Sequence, residues 1–296
     1  MFPFLKYKKY YFLLSSILVF SSIFFLFYFG LNLGIDFAGG SVLRVEYKEE
    51  RPPIEEVSSK IAKVGLTQFS FREMGQNGLI IKTKDIDPET RAELVGIFLA
   101  DPNVDKDKIS FEKVGAVVGE ETKKKAIWAT ILSILAIILY VSFAFKQVSR
   151  PIKSFEYGIA TIIALLHDVL ISLGLVSLLG KLYLTEFSIP ILTALLTIFG
   201  YSVNDTVVVF DRIRENLRKT GKNFEEVVDI SLNQALTRSV STSLTTLFVL
   251  VAVFLFGGED LKDFSLVLIA GIASGTYSSI FLASPLLVFW YKRKRK

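Results

Sequence analysis

Six stretches of the chain are apolar at nearly every position rather than along one face: residues 10–31, 126–145, 157–179, 189–210, 239–256 and 264–290. A helix that is apolar all round has no polar side to turn to water, and 18 or more such residues reach across a hydrocarbon layer. At about 1.5 Å rise per residue, the five longer runs each cover the ~30 Å thickness. The fifth run, residues 239–256, is just long enough. The pattern predicts six transmembrane helices.

Between the first two runs the periodicity changes. Residues 41–48, 67–74, 79–84 and 108–114 alternate apolar and polar positions and predict four strands. Residues 52–64 set Ile54, Val57, Ile61 and Val64 at helical spacing behind a proline. Asp87-Pro88-Glu89 supplies an N-cap, a first-turn proline and an acidic first turn for a second helix reaching about residue 100. Gly75-Gln76-Asn77-Gly78 separates the second strand from the third. The order is β-α-β-β-α-β, a ferredoxin-like split-βαβ unit. Residues 36–125 hold 17 acidic and 15 basic residues, so the charges of this domain nearly cancel, and it reads as a rigid extracytoplasmic platform or docking module. It carries no phosphate loop or metal cluster, and the superfold alone says nothing about function.

The expected architecture is therefore an α-helical membrane protein with one α+β ferredoxin-like domain. It has three parts: residues 1–35 with the first span, residues 36–125, and residues 126–296 with spans two to six. Within the last part, Phe224, Val227, Val228, Leu232, Ala235 and Leu236 share a helical face. They predict a cytoplasmic amphipathic segment over about residues 211–238.

Composition narrows the chemistry. The chain is 51% hydrophobic, with a mean hydropathy of +0.48. It has no cysteine and one histidine, His167, which excludes disulfides, thiolate metal sites, a cysteine nucleophile and a HExxH protease. Lys6, Lys8 and Lys9 precede the first apolar run as in a secretory signal. That run exceeds a signal h-region of about 7–15 residues and no small-residue cleavage site follows, so it reads as a retained helix.

The net charge of +5 is unevenly spread. Lys6, Lys8 and Lys9, then Lys146, Arg150 and Lys153, then Arg212, Arg214, Arg218, Lys219, Lys222 and Arg238, and finally Lys292 to Lys296 all fall on one side of the predicted spans. The two short opposite loops hold only Lys181 and Lys262. By the positive-inside rule both termini are cytoplasmic and residues 36–125 are extracytoplasmic. Lys123-Lys124-Lys125 runs against this, at the end of a long loop whose charges the rule discounts. The basic excess reads as a topology signal and as attraction to the anionic lipid of the bilayer, or alternatively as a docking surface for a ribosome or acidic cytoplasmic partners. Nucleic-acid binding has no support.

Ionisable residues within a span cost ~2.5–3.5 kcal/mol on insertion scales and mark function by default. The third span holds His167 and Asp168, and the fourth holds Asn204 and Asp205. Arg238 opens the fifth span. Asp205 lies six residues before Asp211-Arg212, roughly 9 Å inside the cytoplasmic edge. Arg238 enters at similar depth, so the two can meet if their helices pack. A carboxylate whose arginine partner moves can take up and release a proton. Asp205 is thus a candidate relay or a static ion pair, with Asn204 as a polar partner. Asp168 is a candidate relay or, with His167, interhelical glue. No nucleophile motif accompanies the His-Asp pair. Ser241, Thr242, Ser243, Thr245 and Thr246 make the fifth span polar, so it should face protein or water. Gly271-x-x-x-Gly275 fits close helix packing in the sixth.

Several of these runs together resemble the SecF family of protein-export membrane subunits. Gly34-Ile35-Asp36-Phe37-Ala38-Gly39-Gly40 is similar to the family's GIDFTGG motif, with Ala38 at its threonine. Gly34, Asp36, Gly39 and Gly40, which shape the turn after the first span, are retained. Residues 202–216 (SVNDTVVVFDRIREN), 233–246 (NQALTRSVSTSLTT), 254–258 (FLFGG) and 275–287 (GTYSSIFLASPLL) extend the likeness over nearly the whole chain.

The resemblance implies a place in the bacterial cytoplasmic membrane and an arrangement similar to resistance-nodulation-division transporters. It implies a homologous partner, SecD, association with the SecYEG channel, and use of the proton motive force to draw unfolded polypeptide outward. The coupling ion is then the proton, with no other cofactor. The family's proton-pathway aspartate and arginine map onto Asp205 and Arg238. Two alternatives stay open: a non-conducting structural or assembly subunit of the translocon, and half of a proton-driven small-molecule exporter. Enzymatic activity is not expected.

Overall fold

The computed structural model describes residues 1–66, 69–145 and 152–295. Lys146, Arg150 and Lys296, three of the residues used for orientation, lie outside the described residues, as do Thr67 and Gln68 of the second predicted strand. The chain forms two compact units, one of residues 33–127 and one of residues 1–32 with 128–296.

In the smaller unit the strands are β1 (Gly40–Glu46), β2 (Phe69–Met74), β3 (Gly78–Thr83) and β4 (Ser110–Val114). They lie in the order β2-β3-β1-β4 with every neighbouring pair antiparallel. Two helices, α2 (Ile54–Ala62) and α3 (Pro88–Leu99), complete the β-α-β-β-α-β order. α3 begins as its sequence predicts: the Asp87 carboxylate accepts hydrogen bonds from the backbone N–H groups of Glu89 and Thr90, both at 3.0 Å. Leu43 and Val45 of β1, Leu79 and Ile81 of β3, Val57 and Ile61 of α2, and Leu94 and Phe98 of α3 form its separate core.

The segment 34–40 forms one helical turn, Ile35–Ala38, after which Gly39 (φ +72°) and Gly40 (φ +132°) lead into β1. A Cβ on Gly39 would lie 2.9 Å from the Cα of Ala116, and one on Gly40 would lie 2.8 Å from the Thr83 carbonyl oxygen. Both glycines are needed for conformation and for close approach. Phe37 is buried beside them.

Six helices are long and apolar enough to cross a bilayer. They are α1 (Lys8–Phe29), α4 (Ala116–Ala144), α5 (Ser154–Tyr183), α6 (Ile189–Thr220), α7 (Phe224–Phe256) and a sixth span built from α8 (Glu259–Ser278), a π-helical turn (Ser279–Ala283) and α9 (Ser284–Arg295). Half of α5, half of α6 and slightly more of the sixth span are buried, whereas α1, α4 and α7 keep most of their surface exposed. The inner three span elements therefore carry the packed core of this unit.

One expectation is corrected. The amphipathic segment is not a separate helix at the interface. Residues 211–220 continue α6, residues 224–238 open α7, and only Gly221, Lys222 and Asn223 connect them. The apolar face is buried: Phe224, Val228, Leu232 and Ala235 pack with Phe210, Ile213, Leu287 and Val288. Asn216 on α6 donates to Ser231 and Gln234 on α7, each at 2.9 Å, which fastens the hairpin. A six-residue apolar face cannot report from sequence alone whether lipid or protein covers it.

The break in the sixth span has a local cause. Pro285 has no N–H for the helical carbonyl four residues earlier, and its ring crowds that carbonyl. Transmembrane helices absorb such a proline by a wider turn and by hydroxyl groups that re-satisfy the backbone. Within the turn the Ser284 hydroxyl donates to the Ser279 carbonyl at 3.1 Å, while the carbonyl that Pro285 leaves without a helical N–H is that of Phe281.

Candidate functional site: two buried carboxylates

Asp168 is fully buried on α5. Its Oδ1 accepts from Ser274 Oγ (2.7 Å) and lies 2.9 Å from His167 Nδ1; its Oδ2 accepts from Ser202 Oγ (2.6 Å) and Ser278 Oγ (2.7 Å). Beside a carboxylate, Nδ1 is the nitrogen that carries the imidazole proton. Two bonds per oxygen fill the four acceptor positions of an ionised carboxylate. The donors come from α5, α6 and α8, so one side chain ties the three inner spans together.

Close packing makes this shell possible. Gly275 lies where a Cβ would stand 3.5 Å from Asp168 Oδ2 and 3.4 Å from Ser202. A Cβ on Gly271 would fall within the side chain of Ile198 on α6. The Gly271-x-x-x-Gly275 face expected to pack closely is thus the face that brings α8 onto α5 and α6. On its other side His167 stacks on Tyr277, with ring centroids 6.1 Å apart. The Tyr277 hydroxyl donates to the Tyr11 carbonyl of α1 at 2.9 Å.

Asp205 is buried on α6, 6% exposed, in a thinner shell. Ser279 Oγ donates to its Oδ2 at 3.1 Å, and buried Ser239 of α7 adjoins the same carboxylate. Next to it runs a seam of hydroxyls. Tyr201 on α6 donates to Ser243 on α7 at 3.0 Å, and Ser243 meets Thr276 on α8 at 2.5 Å. The two carboxylates share a helix neighbourhood but not an environment: Asp168 has no acceptor position to spare, and Asp205 has several.

Arg238 and Asn204 stand elsewhere. Arg238 is exposed on α7, next in sequence to Ser239, and among the described residues no ion pair joins it to Asp205. Asn204 is exposed on α6, one position round from Asp205. The residues that do surround Asp205 and Asp168 are serines that spacing along the chain did not single out: Ser202, Ser239, Ser274, Ser278 and Ser279. Ser274 and Ser278, one helical turn apart on a helix of small residues, were the available signal. Among the described residues, no group of three or more His, Cys, Asp or Glu side chains could hold a metal.

The family described as "Protein export membrane protein SecD/SecF, C-terminal" matches residues 97–293, and "SecD/SecF GG Motif" matches residues 24–50. The chain is 43% identical to the protein translocase subunit SecF of Thermobaculum terrenum, over 96% of this chain and 92% of that one. It is 37% identical to SecF of Sebaldella termitidis, over 99% and 92%. A crystal structure of SecDF from Thermus, described as a translocon-associated membrane protein, superposes with a TM-score of 0.87 at 35% identity, covering 99% of this chain and 39% of that one. On the matched GG motif, the family match over residues 97–293 and the near-complete relatives, this multi-pass membrane protein belongs to the SecF family of protein translocase subunits.

Proposed function

We propose that this chain is the SecF subunit that couples the proton motive force to Sec-dependent protein export, with Asp205 as the coupling carboxylate. The Sec-pathway role follows from its SecF relatives. The coupling role rests on one observation: of the two carboxylates buried among the described residues, only Asp205 has unfilled acceptor positions beside a hydroxyl seam. A carboxylate that exchanges protons needs room for the proton and a polar route to it, and the saturated Asp168 offers neither. In this reading Asp168 anchors the bundle. Asn204 and Arg238 act from the exposed face, where Arg238 can reach the Asp205 region only when α7 or a partner helix moves.

The partner is SecD. In Thermus thermophilus the two are one protein, SecDF, of which this chain matches 35%. The face offered to SecD carries Thr193, Thr197, Gly200 and Asn204 of α6 and Arg238, Ser241, Thr242 and Thr245 of α7, all exposed at transmembrane positions. Such groups are costly against lipid and call for a protein cover. The assembly joins the SecYEG channel and acts on unfolded polypeptide emerging from it. Its place is the bacterial cytoplasmic membrane, with both termini and the α6–α7 hairpin inside and residues 36–125 outside. No catalytic role is assigned.

The test is protein translocation by membrane vesicles holding a defined proton gradient. Asp205→Asn keeps the shape and cannot ionise, so it should still copurify with SecD while losing the gradient-dependent part of export. Arg238→Lys keeps the charge and loses the planar fork, so partial loss is expected. Vesicles with Asp205→Asn that respond fully to the gradient would sink the assignment and favour the structural-subunit reading.

A further inference from the structure

We infer that Ser279 is the positioning residue that carries the protonation state of Asp205 into the π-turn of the sixth span. The inference rests on Asp205 being the coupling carboxylate and adds the element that senses it.

Ser279 opens the π-turn, the one non-α stretch among the described residues of the sixth span. Its hydroxyl has a single proton and two acceptors at equal distance: Asp205 Oδ2 at 3.1 Å and the Thr276 carbonyl at 3.1 Å. One proton cannot serve both well. With Asp205 ionised, the charged oxygen is the stronger acceptor, and the hydroxyl is held across the helix interface. With Asp205 protonated, its own O–H needs an acceptor, and the Ser279 oxygen is the hydroxyl already in place. The Ser279 proton then turns back to Thr276. The same two residues stay in contact, but the bond reverses direction and Ser279 is tied to its own helix.

That reversal falls at a mechanically weak point. A π-turn is a single-turn departure from the α ladder and often marks a functional site. This one lies just before Pro285, which cannot continue the helical ladder. Ser279 is gripped at both ends, by Asp205 through its hydroxyl and by Ser284 through its carbonyl. Its neighbour Ser278 is bound to the saturated Asp168. Adjacent serines therefore hold a fixed carboxylate and an exchanging one, and the turn begins where the two grips separate. α9, beyond the turn, is the segment whose register the second grip then biases. The titratable or charged groups that the surrounding helices bring to this region are Asp168 and His167 on α5, Tyr201 on α6, Arg238 on α7 and Tyr277 on α8.

The chain has no cysteine, so one reporter can be placed without background. Phe289→Cys, exposed on α9 beyond the turn, is labelled with an environment-sensitive fluorophore in the full chain purified with SecD. Ionisation of Asp205 is followed separately by its infrared carboxyl-stretch band. The label should titrate with pH in the otherwise unaltered chain and should lose that response in Asp205→Asn. In Ser279→Ala the infrared band should still titrate while the label no longer follows it. Ser279→Thr should restore the response, and Ser278→Ala, which touches Asp168 instead, should retain it. A label that follows the Asp205 band with full amplitude in Ser279→Ala would overturn the inference. A label that still titrates in Asp205→Asn would overturn the choice of Asp205 itself.

Discussion

Replacing Asp168 by alanine should destabilise the membrane unit far more than replacing it by asparagine. Alanine removes the acceptor of four donors at once. Ser278 has a second acceptor, the Gly275 carbonyl at 3.2 Å. The hydroxyls of Ser202 and Ser274 and the Nδ1–H of His167 do not share that escape. A buried donor left unpaired costs about 1–3 kcal/mol. Hydrogen bonds between membrane helices average only about 0.6 kcal/mol because the unfolded chain in lipid also finds partners. Taking the low end for three groups gives about 3 kcal/mol for Asp168→Ala. Asparagine keeps one oxygen, and its NH₂ can donate to two serines that turn to accept, so Asp168→Asn should cost about 1 kcal/mol. The assay is unfolding of the purified protein in mixed micelles by graded denaturing detergent, followed by circular dichroism. An Asp168→Ala protein within about 1 kcal/mol of the unaltered chain would refute the anchor reasoning.

Three further outcomes follow from the geometry. Gly40→Ala places a Cβ 2.8 Å from the Thr83 oxygen at φ +132°, a strain of about 1–3 kcal/mol that should lower the thermal midpoint of the extramembrane unit. Tyr47, 3% exposed, has its phenol pushed up to about 12 by burial, then by Asp101 and Glu56. A raised folded value stabilises below the ordinary value near 10, and that contribution is lost as pH rises toward 12. The difference between ultraviolet titrations of the unaltered chain and of Tyr47→Phe should therefore show Tyr47 ionising late, with a stability loss in that alkaline window. Single cysteines at Lys60 and Thr220 should label with an impermeant maleimide in intact cells at position 60 only, and labelling at position 220 would reverse the orientation.

The six spans and the βαββαβ order were legible because both depend on local period. Asp87-Pro88-Glu89 started α3 as its capping chemistry requires. The separation of Asp205 from Asp211 along α6 was legible because rise per residue is constant. Azimuth was not: Arg238 lies well inside α7 (Phe224–Phe256) and is exposed, since which way a side chain faces is set by packing between helices distant in sequence. The Asp168 shell was hidden for the same reason, its serines lying 34 to 110 residues away. The charge alone marks Asp168 in the sequence; only the packing of three helices brings its four donors to it.

The exposed face formed by Asn204, Arg238, Ser241 and Thr242 also has a consequence for the life of the molecule in the cell. Before its partner arrives, a newly inserted copy presents these groups to acyl chains, the condition that membrane proteases and chaperones survey. Synthesis without SecD should then shorten its half-life, so that supply of one chain sets the abundance of the other without any transcriptional control. Fusion of the two into one polypeptide, as in Thermus thermophilus, removes that interval altogether.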